Sequence, residues 1–89
     1  MVRLFVRHKV EDYAKWRQVY DDFEAQRTTM GEIGDWVFQL DGDPTDVTVI
    51  HDFESVEKAN AFANSAELHT AMSTAGVAGK PDVWITSAT

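Results

Sequence analysis

The sequence changes its hydrophobic period at Asp12, and no other feature constrains the fold as much. Residues 2–10, VRLFVRHKV, alternate: Val2, Leu4, Val6, His8 and Val10 fall on one side, and Arg3, Phe5, Arg7 and Lys9 on the other. An alternation of period two predicts a half-buried β-strand. From Tyr13 onward the pattern steps by three and four through Tyr13, Trp16, Tyr20, Phe23, Arg27 and Met30. This spacing predicts one stripe of an amphipathic helix, interrupted only by Arg27. Asp12 stands at the N-cap, where a carboxylate accepts a bond from a free N–H of the first turn. Gly31 or Gly34 then offers the left-handed backbone that ends a helix.

Both periods recur downstream. DWVFQL (35–40) and DVTVIHDF (46–53) read as strands, joined as a hairpin by the turn-forming DGDPT. Ser55 is the next expected N-cap, with Val56, Ala59, Phe62 and Ala63 on the buried face. Ser65 re-caps a second helical piece carrying Leu68, Ala71 and Met72 inward, and Gly76 and Gly79 stop it. PDVWITSA supplies a last strand from Pro81, where a missing N–H is tolerated. The order β-α-β-β-α-β, with the second helix broken, predicts a ferredoxin-like α+β fold over residues 1–89 as a single domain. Its four-stranded antiparallel sheet has strand order 4-1-3-2 and helices on one face.

The other face of that sheet receives Arg3, Phe5, Arg7, Thr48, Ile50 and Trp84 or its neighbours. Asp52 and Glu54 are placed to pair with Arg3 or Arg7. Two readings stand: cross-strand charge pairing on an exposed face, or burial in a dimer. A chain of 89 residues buries only about 60–65% of its unfolded surface, which favours association.

Hydrophobic content of 44% with 26% charged residues fits a soluble globular protein. No stretch approaches the ~18 apolar residues of a membrane span. Charges run through the first ten residues, so a cytoplasmic location is expected rather than a secreted one. Cysteine is absent, which excludes disulfides, zinc–thiolate sites and cysteine nucleophiles. The net charge is −7, and beyond residue 30 the only bases are Lys58 and Lys80. An acidic chain without a basic stripe predicts no nucleic-acid partner and no anionic membrane partner.

Two histidines share the phase of their apolar neighbours: His8 with Leu4 and Val6, His51 with Val49 and Phe53. Histidine titrates near neutrality, so one lining an apolar cavity is a candidate base toward a phenol or an activated C–H. Each is otherwise a core or strand-end histidine bonded to a carbonyl. They sit toward opposite ends of their strands, and no two-histidine metal site is expected. His69, beside Leu68, reads as a surface residue. Asp12 is a helix cap, or alternatively a carboxylate that orients His8. Asp41, Asp43 and Asp46 lack the turn Gly and terminal Glu of an EF-hand loop and read as an acidic hairpin turn. No Gly-rich phosphate loop, HExxH or G-x-S-x-G occurs.

VRLFVRHKVEDYAKWRQVYDDF resembles the opening of small dimeric α+β barrel proteins, the superfamily of the antibiotic-biosynthesis monooxygenase-like proteins. FANSAELHTAMSTAGVAGKPDVW (62–84) is similar to the end of the same group, through Ser65–Leu68, Ala71–Met72 and Ala75–Pro81. The resemblance implies a homodimer whose sheets face each other, with a ligand cavity between sheet and helices in each subunit. Tyr13, Trp16, Tyr20, Phe23, Trp36 and Phe38 are the expected aromatic lining, beside His8 and His51, with Leu68 and Met72 closing the cavity. The implied function is binding of a small aromatic or polyketide-like molecule, with cofactor-free oxygenation or cyclisation as the chemistry and His8 or His51 taking a proton. The alternative is a non-catalytic ligand-binding or stress-related dimeric module. The haem-degrading members carry an Asn on the first strand and a Trp–His pair in the second half. Strand one here has no Asn, and no Trp lies between residues 37 and 83. No cofactor is therefore expected, haem ligation by His8, His51 or His69 being left open.

Overall fold

The alternating N-terminal segment becomes β1 (Val2–Val10), and the chain continues through α1 (Tyr13–Asp22), α2 (Glu24–Thr29), β2 (Gly34–Leu40), β3 (Asp43–Phe53), α3 (Val56–Ala63), α4 (Ala66–Thr74) and β4 (Val77–Ser87). The computed structural model describes residues 1–89. Its sheet has four strands in the order β2-β3-β1-β4, every pair antiparallel. This is the expected ferredoxin-like arrangement with the second helix split into α3 and α4. β1 is central, and its inward residues Val2, Leu4, Val6, His8 and Val10 are all buried.

Side chains set the element boundaries. The Asp12 carboxylate accepts from the N–H of Ala14 at 2.9 Å and of Lys15 at 3.3 Å, and so caps α1. Ser55 and Ser65 cap α3 and α4 through Lys58 N and Leu68 N. The first helical stretch is not the single helix that the stripe predicts. At Phe23 the backbone slackens to φ −85°, ψ −2°, and α2 begins. Gly31, at φ +104°, closes this stretch where a left-handed residue is needed.

Two strands start earlier than their turn formers suggested. The β2–β3 connection shrinks to Asp41 and Gly42, the latter at φ +86°, because β3 begins at Asp43. Pro44 is accommodated by a register shift between Gln39 and Leu40, where no ladder bond is asked of it. β4 starts at Val77, not Pro81. Gly76 ends the helix as expected, whereas Gly79 lies inside the strand. The register jumps from Lys9↔Ala78 to Arg7↔Asp82, so Gly79, Lys80 and Pro81 bulge out opposite His8.

The core falls into two clusters. Val2, Leu4, Val6, Phe23, Phe53, Ala59, Phe62 and Leu68 form one. Val10, Trp16, Tyr20, Val47, Val49 and Ala75 form the other. Phe53 and Phe62 are fully buried, each contributing about 2–3 kcal/mol by its removal from water.

The outer face differs from expectation in membership and in pairing. Trp36 is opposite Ile50, and Phe38 opposite Thr48, so both rings project on the side of Phe5 and Arg3, away from the helices. Trp36 is 45% exposed and Phe38 54% exposed. The cause is register: β2 presents Asp35, Val37 and Gln39 beside His51, Val49 and Val47, leaving its aromatic residues for the opposite face. Arg3 forks onto Asp52 at 2.8 and 3.1 Å. Arg7 forks onto Asp46 at 3.0 and 2.8 Å, rather than onto Asp52 or Glu54. Glu54 instead pairs with Lys58. Asp46 is thus a buried strand residue and no part of the turn.

Candidate active site

An apolar cavity lies where the two core clusters meet. Val6, Phe23 and Leu68 line it from one cluster, and Trp16, Tyr20, Val49 and Ala75 from the other. Val19, Ala71 and Met72 complete its apolar wall, and His8, His51 and Arg27 are the ionisable nitrogen-bearing side chains that line it. Its interior is about 40 Å³, room on the order of three waters.

His8 is 7% exposed, and neither Nδ1 nor Nε2 has a hydrogen-bond partner. This is costly, since an unmet buried polar atom loses about 1–3 kcal/mol. Burial lowers the imidazole to about pKa 4, and the charge of His51 pushes the same way against a weaker opposing pull from Asp46. His8 is therefore neutral at physiological pH and presents one donor and one acceptor to the cavity. It stands opposite the β4 bulge, the type of irregularity that re-aims side chains beside sites. The Trp16 ring is tilted 60° against it at 5.6 Å.

His51 is held differently. Its Nδ1 meets Glu32 Oε2, and Glu32 Oε1 accepts from Arg27 Nε at 3.2 Å. All three side chains are nearly water-free, at 4%, 5% and 3% exposure for His51, Glu32 and Arg27. A carboxylate only accepts, so Nδ1 carries the proton, and Nε2 makes no bond to the protein. Arg27 further donates to the Tyr20 carbonyl and lies 3.8 Å from the Tyr20 ring centroid. The Tyr20 hydroxyl donates to Asp35 at 2.5 Å, and burial, then that bond, raises the phenol well above its usual value. Tyr20 stacks on Trp16 at 5.0 Å, linking the charged network to the wall beside His8.

Of the expected lining, Trp16, Tyr20, Phe23, Leu68, Met72, His8 and His51 meet at this cavity. Tyr13 stacks on Trp16 from outside it. Trp36 and Phe38 face the opposite side of the sheet and cannot line it. Asp12 is committed to capping and does not touch His8. His69 is exposed, as expected. Arg27, Glu32 and Asp35 belong to the site although none was a candidate. The signal for them was Arg27 itself: a cation on an apolar stripe is buried only with a carboxylate partner.

A ferredoxin-like chain with a histidine-bearing apolar cavity between sheet and helices is the class defined by this geometry. No protein-family model matches the chain, and no curated protein matches it. Solved structures do. A Bordetella bronchiseptica protein assigned as an antibiotic biosynthesis monooxygenase superposes with a TM-score of 0.84 at 16% identity, covering 99% of this chain and 96% of that one. A Nitrosomonas europaea protein with the same assignment gives 0.72 at 18% identity, with 99% and 98% covered. SnoaB, a cofactor-independent oxygenase from Streptomyces nogalater, gives 0.80 at 11% identity, with 99% and 92% covered. At these identities the likeness establishes the fold: this chain has the fold of the antibiotic-biosynthesis monooxygenase-like proteins.

Proposed function

We propose that the cavity receives the reactive edge of a small aromatic or polyketide-like molecule, and that His51 removes a proton from it in a cofactor-independent oxygenation. The observation that carries this reading is His8: its two ring nitrogens are buried and unpartnered on a residue lining the apolar cavity, and its N–H is there to be met by a ligand oxygen. His51 is the base because Glu32 fixes its tautomer and leaves Nε2 free, the arrangement by which a carboxylate orients an imidazole in catalytic pairs. The fold shared with SnoaB supports the same chemistry.

The step balances with dioxygen as co-reactant. A ring CH₂ acidified by a neighbouring carbonyl gives a proton to His51 Nε2, and His8 hydrogen-bonds the resulting enolate oxygen. The carbanion transfers an electron to dioxygen, and recombination forms a C–O bond. The His51 imidazolium returns the proton to the peroxide. Loss of water from the hydroperoxide leaves C=O where CH₂ stood. Oxygen uptake with anthrone-type substrates tests this: uptake above buffer is expected, and none across a panel would sink it. Binding of the same panel without turnover would support the non-catalytic ligand-binding alternative.

We further propose that the outer sheet face pairs with a second copy of the chain. Trp36, Phe38 and Trp84 are each more than 40% exposed, and Phe5 stacks on Trp84 at 5.1 Å. Arg3 lies over the Trp36 ring, and both arginines of this face are neutralised by their own carboxylates. A broad aromatic surface whose two arginines are already paired within the chain suits a two-fold, self-complementary contact.

A further inference from the structure

The cavity does not end at its apolar wall. A groove of about 460 Å³ runs outside it, between α1–α2 and α4. Val19, Phe23 and Ala71 line both spaces, so a single layer of side chains separates them. The inner space alone is too small for an aromatic ring, whereas small-molecule sites generally span about 300–1,000 Å³. A ring entering from the groove reaches His8 by displacing this partition, and the rest of the ligand then lies in the groove.

The groove has its own chemistry. Asp22 projects from the α1 side and Glu67 from α4, with Gln26, Thr70 and Thr74 supplying neutral polar groups. No Lys or Arg lines it. Neither carboxylate is consumed by an ion pair within the chain. The inner end carries the independent sign of a ligand, the unpartnered nitrogens of His8.

We infer that the ligand site has two parts: an aromatic end displaces the Val19–Phe23–Ala71 partition to reach His8, and a substituent bearing a protonated amine lies in the groove against Asp22 and Glu67. The substrate is an amine-bearing aromatic, and carboxylated or phosphorylated analogues are rejected. This rests on the reading of the cavity as a ligand site and adds to it the charge of the ligand and its route.

Calorimetric titration with 1-naphthylmethylamine, 1-naphthylmethanol and 1-naphthylacetate at neutral pH and low salt tests the inference. The amine should bind best and the carboxylate worst, about tenfold apart, with the gap narrowing as salt is added. The double variant Asp22→Asn/Glu67→Gln, on exposed helix positions, should abolish the preference and leave the alcohol unchanged. Ala71→Trp, which fills the partition, should weaken all three. Val19→Ala, which thins it, should strengthen them and controls for misfolding of the larger substitution. Equal affinity for amine and carboxylate, a preference unchanged in the double variant, or no binding of any probe would overturn the inference. Amine preference without oxygen uptake by any substrate would count against the oxygenase alone, and uptake without charge preference against the groove alone.

Discussion

Glu32 receives the Nδ1–H of His51 beneath the cavity and is itself held by Arg27. One buried carboxylate thus compensates a buried guanidinium and sets an imidazole tautomer. Glu32→Gln should do two kinds of damage. It leaves Arg27 without its carboxylate partner in a water-free site, at a cost of about 3 kcal/mol in denaturant unfolding. It also offers an amide N–H toward Nδ1, so the ring is expected to move its proton to Nε2 and lose its role as base. Nitrogen chemical shifts of His51 would report the tautomer. Oxygen uptake should fall by about 10²–10⁴. A variant with the wild-type tautomer and rate would separate Glu32 from the chemistry.

His8 trades stability for a free polar group. Its ordinary value is 6.5 and burial takes it to about 4, so between these values the unfolded chain binds a proton that the folded chain does not. Stability should therefore fall as pH drops from about 6.5 to 4, by on the order of 3 kcal/mol from this residue. His8→Leu should flatten that window, stabilise the protein at neutral pH by about 1–3 kcal/mol, and abolish ligand response. Urea titrations at several pH values measure this. Asp43, lowered to about 2 chiefly by Lys9, acts in a separate, more acid window below the usual carboxylate value.

The outer sheet face is expected to hold two chains together. Light scattering should give the mass of two chains for the wild type and of one chain for Trp84→Glu. That substitution places a charge against the Phe5 ring at a position 43% exposed in the single chain. A single-chain mass for the wild type would remove the dimer proposal.

Asp12 discriminates construction from chemistry. Its carboxylate binds the N–H groups of Ala14 and Lys15. Asp12→Ala should cost about 1 kcal/mol of stability and leave turnover intact. A loss of turnover comparable to that of a His8 variant would restore a role in orienting that ring.

Much of this architecture was legible along the chain because its signals are local. The alternation from Val2 to Val10, the capping residues Asp12, Ser55 and Ser65, and the left-handed glycines at 31 and 76 each act within a few residues of themselves. Starts that depend on a neighbour were misplaced. β3 begins at Asp43 and β4 at Val77 because bulges against β2 and β1 absorb Pro44 and Pro81. The helix stripe correctly nominated Trp16, Tyr20 and Phe23, because an amphipathic face must bury its large residues.

Trp36 and Phe38 show where local reading ends. In a strand every second residue shares a face, and which face meets the helices is set by register alone. The same holds for Arg27, which breaks the apolar stripe in sequence and completes the site in space. Its guanidinium is buried only because the turn after α2 returns Glu32 to it and β3 brings His51 to Glu32. The sequence by itself determined the order of elements, their caps and the residues that must be buried. Which histidine is oriented, which is left bare and where the cavity opens were decided by tertiary structure, because charge compensation and strand register depend on contacts between distant residues.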